Sequence, residues 1–446
     1  MAPTLQKLDF SISGFPEYTP EVRALEQSWL ATLRQVFESY GYANIETPSV
    51  ETVSTLASKG EDVDKEIYAL TRLAAPEGSA PKFALHYDLT VPTARYVAKH
   101  YSSLTFPFKR YQMQRAWRGE RPQEGRFREF TQCDIDVIDS ETVSLAYDAE
   151  MLEMAVVALT ALDVGPIRFQ VSNRKIMDGL AKSLGLADAT LLARILDKVD
   201  KLSTEDLSAR LSSELSLDAK AIDTCIAFCK VKGNADAISD GLDALGLDAD
   251  AIAQGRDELC TLLNRVEAHR PAHYVIDGDL SISRGFDYYT GVVYEARMID
   301  FPGYPSICAG GRYENLVSSF MRRKLPGVGI SIGLTRIFTK LLKEGLIAPG
   351  RKTPTRVLVA QDESDAPGRA HKLAADIRAL GVNVEVLPDV ARLDKQLKYA
   401  NDKGIPFVWL TRDGTDYLKD MSDGTQDEIA LADLTDRLSA YDGETR

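Results

Sequence analysis

The first clear pattern of apolar positions lies between Glu21 and Tyr40, where apolar residues recur every three to four positions. The stripe consists of Val22, Leu25, Trp29, Leu30, Leu33, Val36 and Phe37. This spacing predicts an amphipathic helix that ends at Gly41. The segment Ile45-Glu46-Thr47-Pro48 then predicts an extended chain at the edge or end of a sheet, because proline cannot donate a ladder hydrogen bond.

A long hairpin is predicted further along. Residues 83–89 alternate between apolar and polar, and Val91–His100 has the spacing of a helix. Phe106–Gln112 and Arg128–Ile138 have strand composition and flank a loop rich in arginine and glycine. We therefore predict two strands that face each other and carry a basic tip.

The remaining pattern predicts a helical insertion and a separate C-terminal domain. Residues 176–270 are dominated by Ala, Leu, Asp and Lys, and strand patterns return at Tyr274–Ile282 and Val292–Ala296. A glycine-rich helix start is predicted within Gly327–Lys343. After a linker-like stretch at residues 349–354, the chain alternates β-α-β-α-β as far as Leu410, which predicts a small α/β domain with a largely parallel sheet.

The composition narrows the class of protein. A chain of 446 residues is long enough for two or three domains, and no window has the roughly 20 uncharged apolar residues of a membrane span. The first ten residues lack the basic and apolar regions of a secretion signal, and the five cysteines are scattered, so we expect a protein of the reducing cytoplasm. Cys225 and Cys229 lie four apart, but no second pair completes a metal site, so no metal bound by side chains is predicted.

One basic segment stands out from the formal net charge of −13. It contains Lys109, Arg110, Arg115, Arg118, Arg121, Arg126 and Arg128, opposed only by Glu120 and Glu124. The overall charge argues against a general polyanion binder, whereas a local cluster of cations suits one anionic ligand. Guanidinium groups on a hairpin tip match phosphate oxygens, Glu120 could accept a hydrogen bond from an exocyclic amine, and Phe130 could stack on a base. A solvated basic loop held by salt bridges is the alternative.

Three further segments are candidates for close ligand contact. The first, Ser283–Gly291, combines an arginine, two adjacent tyrosines and two glycines, with an aromatic turn packed in a core as its alternative. The second is glycine-rich and comprises Cys308–Tyr313 and Pro326–Arg336. The third is Tyr87-Asp88-Leu89-Thr90, for which an ordinary helix N-cap is the alternative. None of the segments has the spacing of a Walker A loop or of a GxGxxG fingerprint.

Taken in order, these segments resemble the class II aminoacyl-tRNA synthetases. Arg118–Phe130, continued by Gln132-Cys133-Asp134-Ile135-Asp136, resembles their motif 2, and Gly327–Arg336 resembles motif 3. The helix–strand joint that ends at Pro48 resembles motif 1. The block Arg284-Gly285-Phe286-Asp287-Tyr288-Tyr289 resembles the signature peculiar to the histidyl-tRNA synthetase family.

The resemblance implies a fold and a domain arrangement. The expected fold is an α+β catalytic domain with an antiparallel sheet, a helical insertion and a C-terminal α/β anticodon-binding domain. The expected boundaries are 1–175 with 271–345 for the catalytic core, 176–270 for the insertion and 354–446 for the anticodon-binding domain. The implied partners are ATP with Mg²⁺, L-histidine, tRNA(His) and a second copy in a homodimer, without a membrane.

The resemblance also implies a role for individual residues. The nucleotide set is Arg118, Glu120, Arg126, Phe130 and Arg336. The histidine set is Asp88, Thr90, Gln132, Asp136, Arg284, Tyr289 and Tyr313. Arg118 and Arg284 are the implied catalytic residues, and Arg121 and Gln123 are expected to contact the tRNA acceptor end.

The chain departs from the family pattern in places, and two other functions are open. Ser13-Gly14-Phe15-Pro16-Glu17 stands where a Lys/Arg-Gly-Thr pattern is common, and Asp88 and Asp136 stand where many bacterial members have glutamate. One alternative is the ATP phosphoribosyltransferase regulatory subunit, which shares the fold but typically lacks the anticodon-binding domain and parts of the active site. The other is a non-catalytic RNA-binding or sensor protein. The complete set of phosphate-binding residues favours the enzyme over both.

Overall fold

A nine-stranded, mostly antiparallel sheet is the centre of the longer unit of the chain. The computed structural model describes residues 11–57, 65–76, 78–199, 202–268, 270–282, 289–314, 316–362 and 366–444. The backbone groups into two units, Met1–Glu17 with Ser28–Ile347 and Tyr18–Gln27 with Ala348–Arg446.

The strands before residue 348 form two sheets. They are β1 (Ala43–Asn44), β2 (Val50–Thr52), β3 (Ala69–Leu70), β4 (Phe83–Leu85), β5 (Phe108–Trp117), β6 (Glu129–Ile138), β7 (Ile167–Asn173), β8 (Lys232–Gly233), β9 (Val275–Asp279), β10 (Tyr289–Met298), β11 (Cys308–Tyr313) and β12 (Gly327–Ile332). The large sheet has the order β1-β5-β6-β12-β11-β10-β7-β9-β8, with parallel pairing at β1–β5 and β7–β9. The order of the small sheet is β2-β4-β3. The antiparallel sheet predicted for the catalytic domain is thus confirmed.

Helices occur along the whole chain before residue 348, and several of them lie in the region 176–270 predicted as an insertion. They are α1 (Pro20–Ser39), α2 (Val53–Leu56), α3 (Thr90–His100), α4 (Ala146–Ala161), α5 (Arg174–Ser183), α6 (Thr190–Leu196), α7 (Thr204–Leu215), α8 (Ala219–Cys229), α9 (Ala235–Ala244), α10 (Ala249–Glu267) and α11 (Leu334–Lys343), with 3-10 turns at Tyr101–Ser103 and Leu316–Ser319. Side chains of Ser203, Asp218 and Asn234 accept hydrogen bonds from the first turns of α7, α8 and α9, which explains where these helices begin.

Several predicted boundaries differ from the structure, and two of these differences concern elements of the candidate site. Strand β5 continues to Trp117, five residues beyond the predicted end at Gln112, because it stays paired with β6 as far as Glu129. The glycines predicted to start a helix lie instead in β12, and α11 begins at Leu334. In β12, glycines alternate with buried Val328 and Ile330, so the segment has the period of a strand.

The second unit is an α/β domain. Its strands are β13 (Val357–Val359), β14 (Val384–Val386), β15 (Phe407–Arg412), β16 (Thr415–Asp420) and β17 (Gln426–Glu428), and its helices are α12 (Arg369–Ala379), α13 (Leu393–Lys403) and α14 (Leu434–Glu444), preceded by a 3-10 turn at Leu431–Asp433. The order is β14-β13-β15-β16-β17, with parallel pairing of β13 to β14 and β15. Val357 and Val359 pack in one apolar cluster and Leu358 in another, so both faces of β13 are covered. The predicted C-terminal α/β fold is confirmed, but the sheet is not largely parallel, since β16 pairs antiparallel with both β15 and β17.

Within the described ranges, no helix is both long enough and apolar enough to cross a membrane.

Candidate active site

The basic hairpin of β5 and β6 supports the candidate site. The two strands pair without a break from Phe108 opposite Ile138 to Trp117 opposite Glu129. The tip closes through backbone hydrogen bonds between Gln123 and Arg126, with Gly125 at a φ of +75° that favours glycine. The tip is therefore a hydrogen-bonded turn, and its arginines extend from a defined backbone.

A cavity of about 370 Å³ lies beside this tip. It is lined by Glu66, Arg118, Glu120, Gly125, Arg126, Phe127, Phe130, Thr131, Gln132, Pro305, Ser306, Ile307, Cys308, Ala309, Ser331, Gly333 and Arg336. All five residues of the nucleotide set are among them, although Arg336 is more than 200 positions from the others in the sequence. The hairpin, β11, β12 and the start of α11 thus bring their candidate residues to one place.

Arg118 enters the cavity in a fixed orientation. Its Nε donates a hydrogen bond of 3.1 Å to the carbonyl oxygen of Tyr87. Its guanidinium carbon lies 5.1 Å from the centre of the Phe130 ring, which is within the range of a cation–π contact. The guanidinium group is therefore held by the backbone on one side and by an aromatic face on the other.

Glu120 and Arg126 form an ion pair at the mouth of the cavity. Arg126 Nη1 lies 2.9 Å from Glu120 Oε2, and 47% of the arginine side chain is exposed against 18% of the glutamate. An exposed pair of this kind contributes little to stability, so a ligand can displace either partner at small cost. A basic loop held by salt bridges is the alternative prediction for this segment. The salt bridge is present, but the same residues also line a cavity.

Arg336 joins α11 to the hairpin tip. Its Nε donates a hydrogen bond of 2.6 Å to the carbonyl oxygen of Gly125, and its Nη1 donates to the carbonyl oxygen of Ser306. Burial and the nearby charge of Arg118 lower the pKa of Arg336, with Arg126 adding to the effect. Mutually repelling cations around one cavity are typical of a site that binds an anion.

Part of the basic segment serves the structure instead. Lys109 pairs with Glu150 at 2.8 Å, Arg110 pairs with buried Asp136, and Arg115 pairs with Glu129 at 2.7 Å. The prediction of one basic island for one anionic ligand is therefore too broad. Only the cations from Arg118 onwards lie at the tip, and of those Arg118 and Arg126 line the cavity.

Asp136 and Tyr313 of the histidine set are in direct contact. The Tyr313 hydroxyl donates a hydrogen bond of 3.0 Å to Asp136 Oδ1, and the carboxylate is buried. Burial raises the pKa of Asp136, and the charge of Asp88 adds to this rise, while Arg110 and Tyr313 act in the opposite direction. Tyr289 lies directly opposite Tyr313 in the pairing of β10 with β11.

Of the other described members of the histidine set, Asp88 is near enough to Asp136 for its charge to raise the pKa of Asp136. Asp88 accepts a hydrogen bond of 3.1 Å from the backbone N–H of Val91 in the first turn of α3, as the helix-start alternative predicts, although Leu89 directly precedes the helix and its side chain makes no capping bond. Thr90 is the first residue of α3. Gln132 Nε2 donates to Ser331 Oγ at 2.8 Å and also lines the cavity. Gln132 lies on the same strand as Asp136, so β6 carries both a residue of the cavity and the buried carboxylate.

Asp88, Thr90, Asp136, Tyr289 and Tyr313 of the histidine set do not line the cavity. Arg121 and Gln123 are exposed on the hairpin tip and do not line it. Arg284 belongs to residues 283–288, which lie outside the described part of the chain, so its predicted place stays a prediction.

The atypical N-terminal segment supports the hairpin. The carbonyl oxygen of Gly14 accepts hydrogen bonds from the backbone N–H groups of Arg128, at 2.8 Å, and Glu129, at 3.1 Å. Gly14 has a φ of +86°, and a Cβ there would lie 2.9 Å from Pro122. The glycine is therefore required both by the backbone conformation and by the space.

Several residues at the site were not identified from the sequence. Glu66, Ser306 and Ser331 line the cavity, and Arg110 contacts Asp136. Ser331 lies within Pro326–Arg336, a segment selected for its glycines and not for this serine. Glu66 contributes through its backbone as well, since its carbonyl oxygen accepts a 2.8 Å hydrogen bond from Gly119, and no sequence pattern predicts such a contact.

Comparisons with known proteins agree with this geometry. The family model described as "Histidyl-tRNA synthetase" matches residues 14–337. A histidine–tRNA ligase of Thermobifida fusca is 48% identical over 89% of this chain and 91% of its own length, and one of Micrococcus luteus is 40% identical over 95% and 96%. The crystal structure of histidyl-tRNA synthetase from Nostoc sp. PCC 7120 matches with a TM-score of 0.85 and 36% identity, over 98% of this chain and 100% of that one.

A more distant structure shares the fold. It is described as an ATP phosphoribosyltransferase regulatory subunit/histidyl-tRNA synthetase from Bacillus halodurans C. Its TM-score is 0.72 at 21% identity, over 88% of this chain and 97% of that one. At this identity the likeness concerns the fold alone.

Proposed function

Because the chain belongs to the histidyl-tRNA synthetase family and is a histidine–tRNA ligase, we propose that the cavity at the hairpin tip binds ATP and that the region around Asp136 binds L-histidine. The observation that carries this proposal is the meeting of Arg118, Arg126 and Arg336 with Phe130 around one cavity of nucleotide size. Glu120, at the same cavity, supplies an acceptor for a base amine.

ATP would lie with its base on Phe130 and its phosphates among the arginines. Stacking on an aromatic ring suits a purine, and the Glu120 carboxylate suits the adenine amine once Arg126 turns towards a phosphate. Arg126 and Arg336 would hold the outer phosphates, since guanidinium groups form charge-assisted hydrogen bonds with such oxygens. Arg118 would bind the α-phosphate and the substrate carboxylate.

L-Histidine would be held by the histidine set. Asp88, Thr90 and Gln132 would bind the α-amino group, which as an ammonium is a donor that matches carboxylate, hydroxyl and amide oxygens. Asp136, Tyr289 and Tyr313 would surround the imidazole. Gln132 lines the cavity and lies on the same strand as Asp136, which supports placing the substrate carboxylate next to the α-phosphate.

Activation is then a displacement at phosphorus. A carboxylate oxygen of histidine forms a bond to the α-phosphorus, the bond to the bridging oxygen breaks, and pyrophosphate leaves with that electron pair. Alignment and stabilisation of negative charge accelerate such a step more than a strong base would. Arg118 and Arg284 would supply that stabilisation, and the adenylate would then acylate the terminal ribose of tRNA(His).

Magnesium would arrive with ATP. In the described ranges no three His, Cys, Asp or Glu side chains are grouped so as to hold a metal ion, and Glu124 is engaged by Lys340 and Lys343 at 3.1 Å. Glu66 lines the cavity and could add an oxygen ligand. A magnesium ion bound there would supply positive charge opposite the phosphates.

The tRNA would meet two parts of the chain. Arg121 and Gln123 are exposed on the hairpin tip beside the cavity, which supports contact with the acceptor end. Residues 354–446, an α/β domain of their own, would bind the anticodon region.

The boundaries 1–175 with 271–345 are proposed for the catalytic core, and 176–270 are proposed for the insertion. Cytoplasmic location is proposed because the five cysteines are free and four of them are buried.

A homodimer is proposed on the exposed face of the small sheet. Strand pairing places Val50, Leu70 and Phe83 on one face, where they are 40%, 38% and 53% exposed, while Glu51 and Ala84 on the opposite face are buried. This apolar face follows directly after Pro48, the end of the motif 1 segment. Neighbouring exposed apolar side chains are typical of an interface, and a second copy is the partner that the family implies.

Amino-acid-dependent exchange of pyrophosphate into ATP tests this proposal. We expect exchange with histidine and not with the other standard amino acids. Charging of purified tRNA(His) is expected to follow. Well-folded protein without histidine-dependent exchange would contradict the proposed site and would favour a regulatory or sensor role.

A further inference from the structure

Arg110 is fully buried although it carries a charge. Its Nη2 forms an ion pair with Asp136 Oδ2, and its Nη1 donates a hydrogen bond of 3.3 Å to Gln112 Oε1. Arginine is almost never fully buried unless it is paired, and a buried pair seldom adds net stability over apolar residues of the same size. Stability therefore does not explain why this buried pair is present, and the function of Asp136 is the place to look for the explanation.

The partner of Arg110 is the carboxylate proposed to contact the substrate imidazole. Arg110 approaches Asp136 Oδ2, and the Tyr313 hydroxyl donates to Oδ1 at 3.0 Å. A Cβ at Gly329, opposite Asp136 in the sheet, would lie 2.0 Å from Oδ1, so the glycine leaves the space that the carboxylate occupies. Both oxygens are thus held from different strands.

Arg110 also balances the charge around Asp136. The titratable groups that interact with Asp136 are Tyr42, Asp88, Arg110, Asp134 and Tyr313, from β5, β6, β11 and the segments before β1 and α3. Burial and the charge of Asp88 raise the pKa of Asp136, and Arg110 opposes them as the cation in this group. Without it, protonation of Asp136 at neutral pH becomes easier.

We propose that Arg110 is a positioning residue for histidine recognition, which keeps Asp136 as a charged and oriented acceptor for an imidazole N–H of the substrate. The inference rests on the proposed function, in which Asp136 contacts the imidazole. A protonated Asp136 would have lost acceptor capacity on one oxygen, and a carboxylate free to rotate would bind less well because it must be ordered on binding.

Arg110→Gln and Arg110→Lys separate this role from a structural one. Both keep a donor at the end of the side chain, but only lysine keeps the charge. The quantity to measure is the KM for histidine of the variant divided by that of the native protein at the same pH, in histidine-dependent exchange. Ionisation of the substrate affects both KM values equally, so it does not change this ratio. For Arg110→Gln we expect this ratio to fall severalfold as the pH is raised from 6.5 to 8.5, because a higher pH favours the charged form of Asp136. For Arg110→Lys the KM ratio should not depend on pH and should be roughly three or more, because a flexible point charge orients Asp136 less well than a guanidinium group.

The KM for ATP should change by less than about twofold in both variants, because Arg110 does not line the cavity. Asp134 is the other acid near Arg110, so Arg110→Gln is repeated in an Asp136→Asn background. There the pH dependence of the ratio should vanish. Its persistence would assign the effect to Asp134 and overturn the proposal.

KM ratios that do not depend on pH in either single variant would also overturn the proposal for Arg110. In that case, exchange by the native protein would still support the proposed function. Absence of exchange in the native protein would instead remove the proposed function itself. If Arg110→Gln does not fold, Arg110→Lys decides. A raised KM for histidine with an unchanged KM for ATP is then expected, and an unchanged KM for histidine would overturn the proposal.

Discussion

The guanidinium Nε of Arg336 donates a 2.6 Å hydrogen bond to the carbonyl oxygen of Gly125. One residue lies in the first turn of α11 and the other at the tip of the hairpin, so this contact closes the cavity between two distant segments. Gly125 is also packed against Tyr304 and Pro305, to which a Cβ would lie at 3.0 and 3.1 Å. Because the turn has no spare space there, we infer that the tip keeps its place when phosphate groups bind.

Glu120→Gln is predicted to weaken ATP binding without affecting histidine binding. The substitution keeps the size of the side chain but removes its charge and adds a donor next to the base amine. We expect the KM for ATP to rise roughly tenfold, which corresponds to about 1.4 kcal/mol, with little change in the KM for histidine. Glu124→Gln is the matched control, because Glu124 pairs with Lys340 and Lys343 outside the cavity. Equal effects of the two substitutions in exchange kinetics would contradict the role of Glu120.

Arg284→Ala is predicted to slow adenylate formation. Arg284 lies in the block that resembles the histidyl-tRNA synthetase signature, and a fixed guanidinium near the α-phosphate would stabilise charge in the transition state. Such donors contribute roughly 3–4 kcal/mol, so single-turnover formation of the adenylate should slow by about 10²–10³. Arg284→Lys should recover part of the rate, since a point charge does not reproduce the fork. A changed dissociation constant for histidine with an intact rate would exclude this role.

Asp134→Asn is predicted to change how stability depends on pH. Burial raises the pKa of Asp134 from 3.8 to about 7. A raised pKa in the folded state means that stability is fully present below about pH 4 and is lost as the pH rises through 7. The variant should therefore gain free energy of unfolding over the native protein at pH 8, by at most roughly 4 kcal/mol, and less at pH 5.5. Denaturant unfolding at both pH values measures the difference, and a gain that does not depend on pH would contradict it.

Phe83→Asp is predicted to weaken the dimer. A charge at the centre of an apolar contact loses hydration without gaining a partner, so the interface should be destabilised by a few kcal/mol. Light scattering at micromolar concentration should give twice the chain mass of 49.2 kDa for the native protein and a lower mass for the variant. Ile299→Asp, at a side chain that is 40% exposed elsewhere, is the control. A native mass of one chain would contradict the dimer, and an unchanged mass of the variant would contradict this face.

The sequence predicts elements whose pattern is local. The helix from Pro20, the hairpin and the C-terminal alternation are all visible as periodic apolar positions. Arg336 and Arg118 were linked by resemblance to a family, since no local pattern shows that α11 reaches the hairpin tip. The same limit explains why Glu66 was missed, because its contact with Gly119 depends on how two loops meet.

Arg110 shows a different limit. The predicted end of β5 at Gln112 hid the alternation that runs through Arg110, Gln112 and Gln114 towards Arg118. Its charge was counted with the basic tip, whereas burial of the strand pairs it with Asp136. Sequence alone gives the charge of such a residue, and the register of the sheet decides whether that charge meets solvent, a ligand or an acid.

Single-turnover formation of histidyl adenylate by Arg118→Ala, with Arg115→Ala as control, tests most directly whether the hairpin tip carries the chemistry. Both arginines belong to the same hairpin, but Arg118 lines the cavity, whereas Arg115 is 55% exposed and pairs with Glu129. The account predicts that Arg118→Ala slows the step by about 10²–10³ and that Arg115→Ala leaves it nearly unchanged. An intact rate in Arg118→Ala, or an equal loss in both variants, would contradict it.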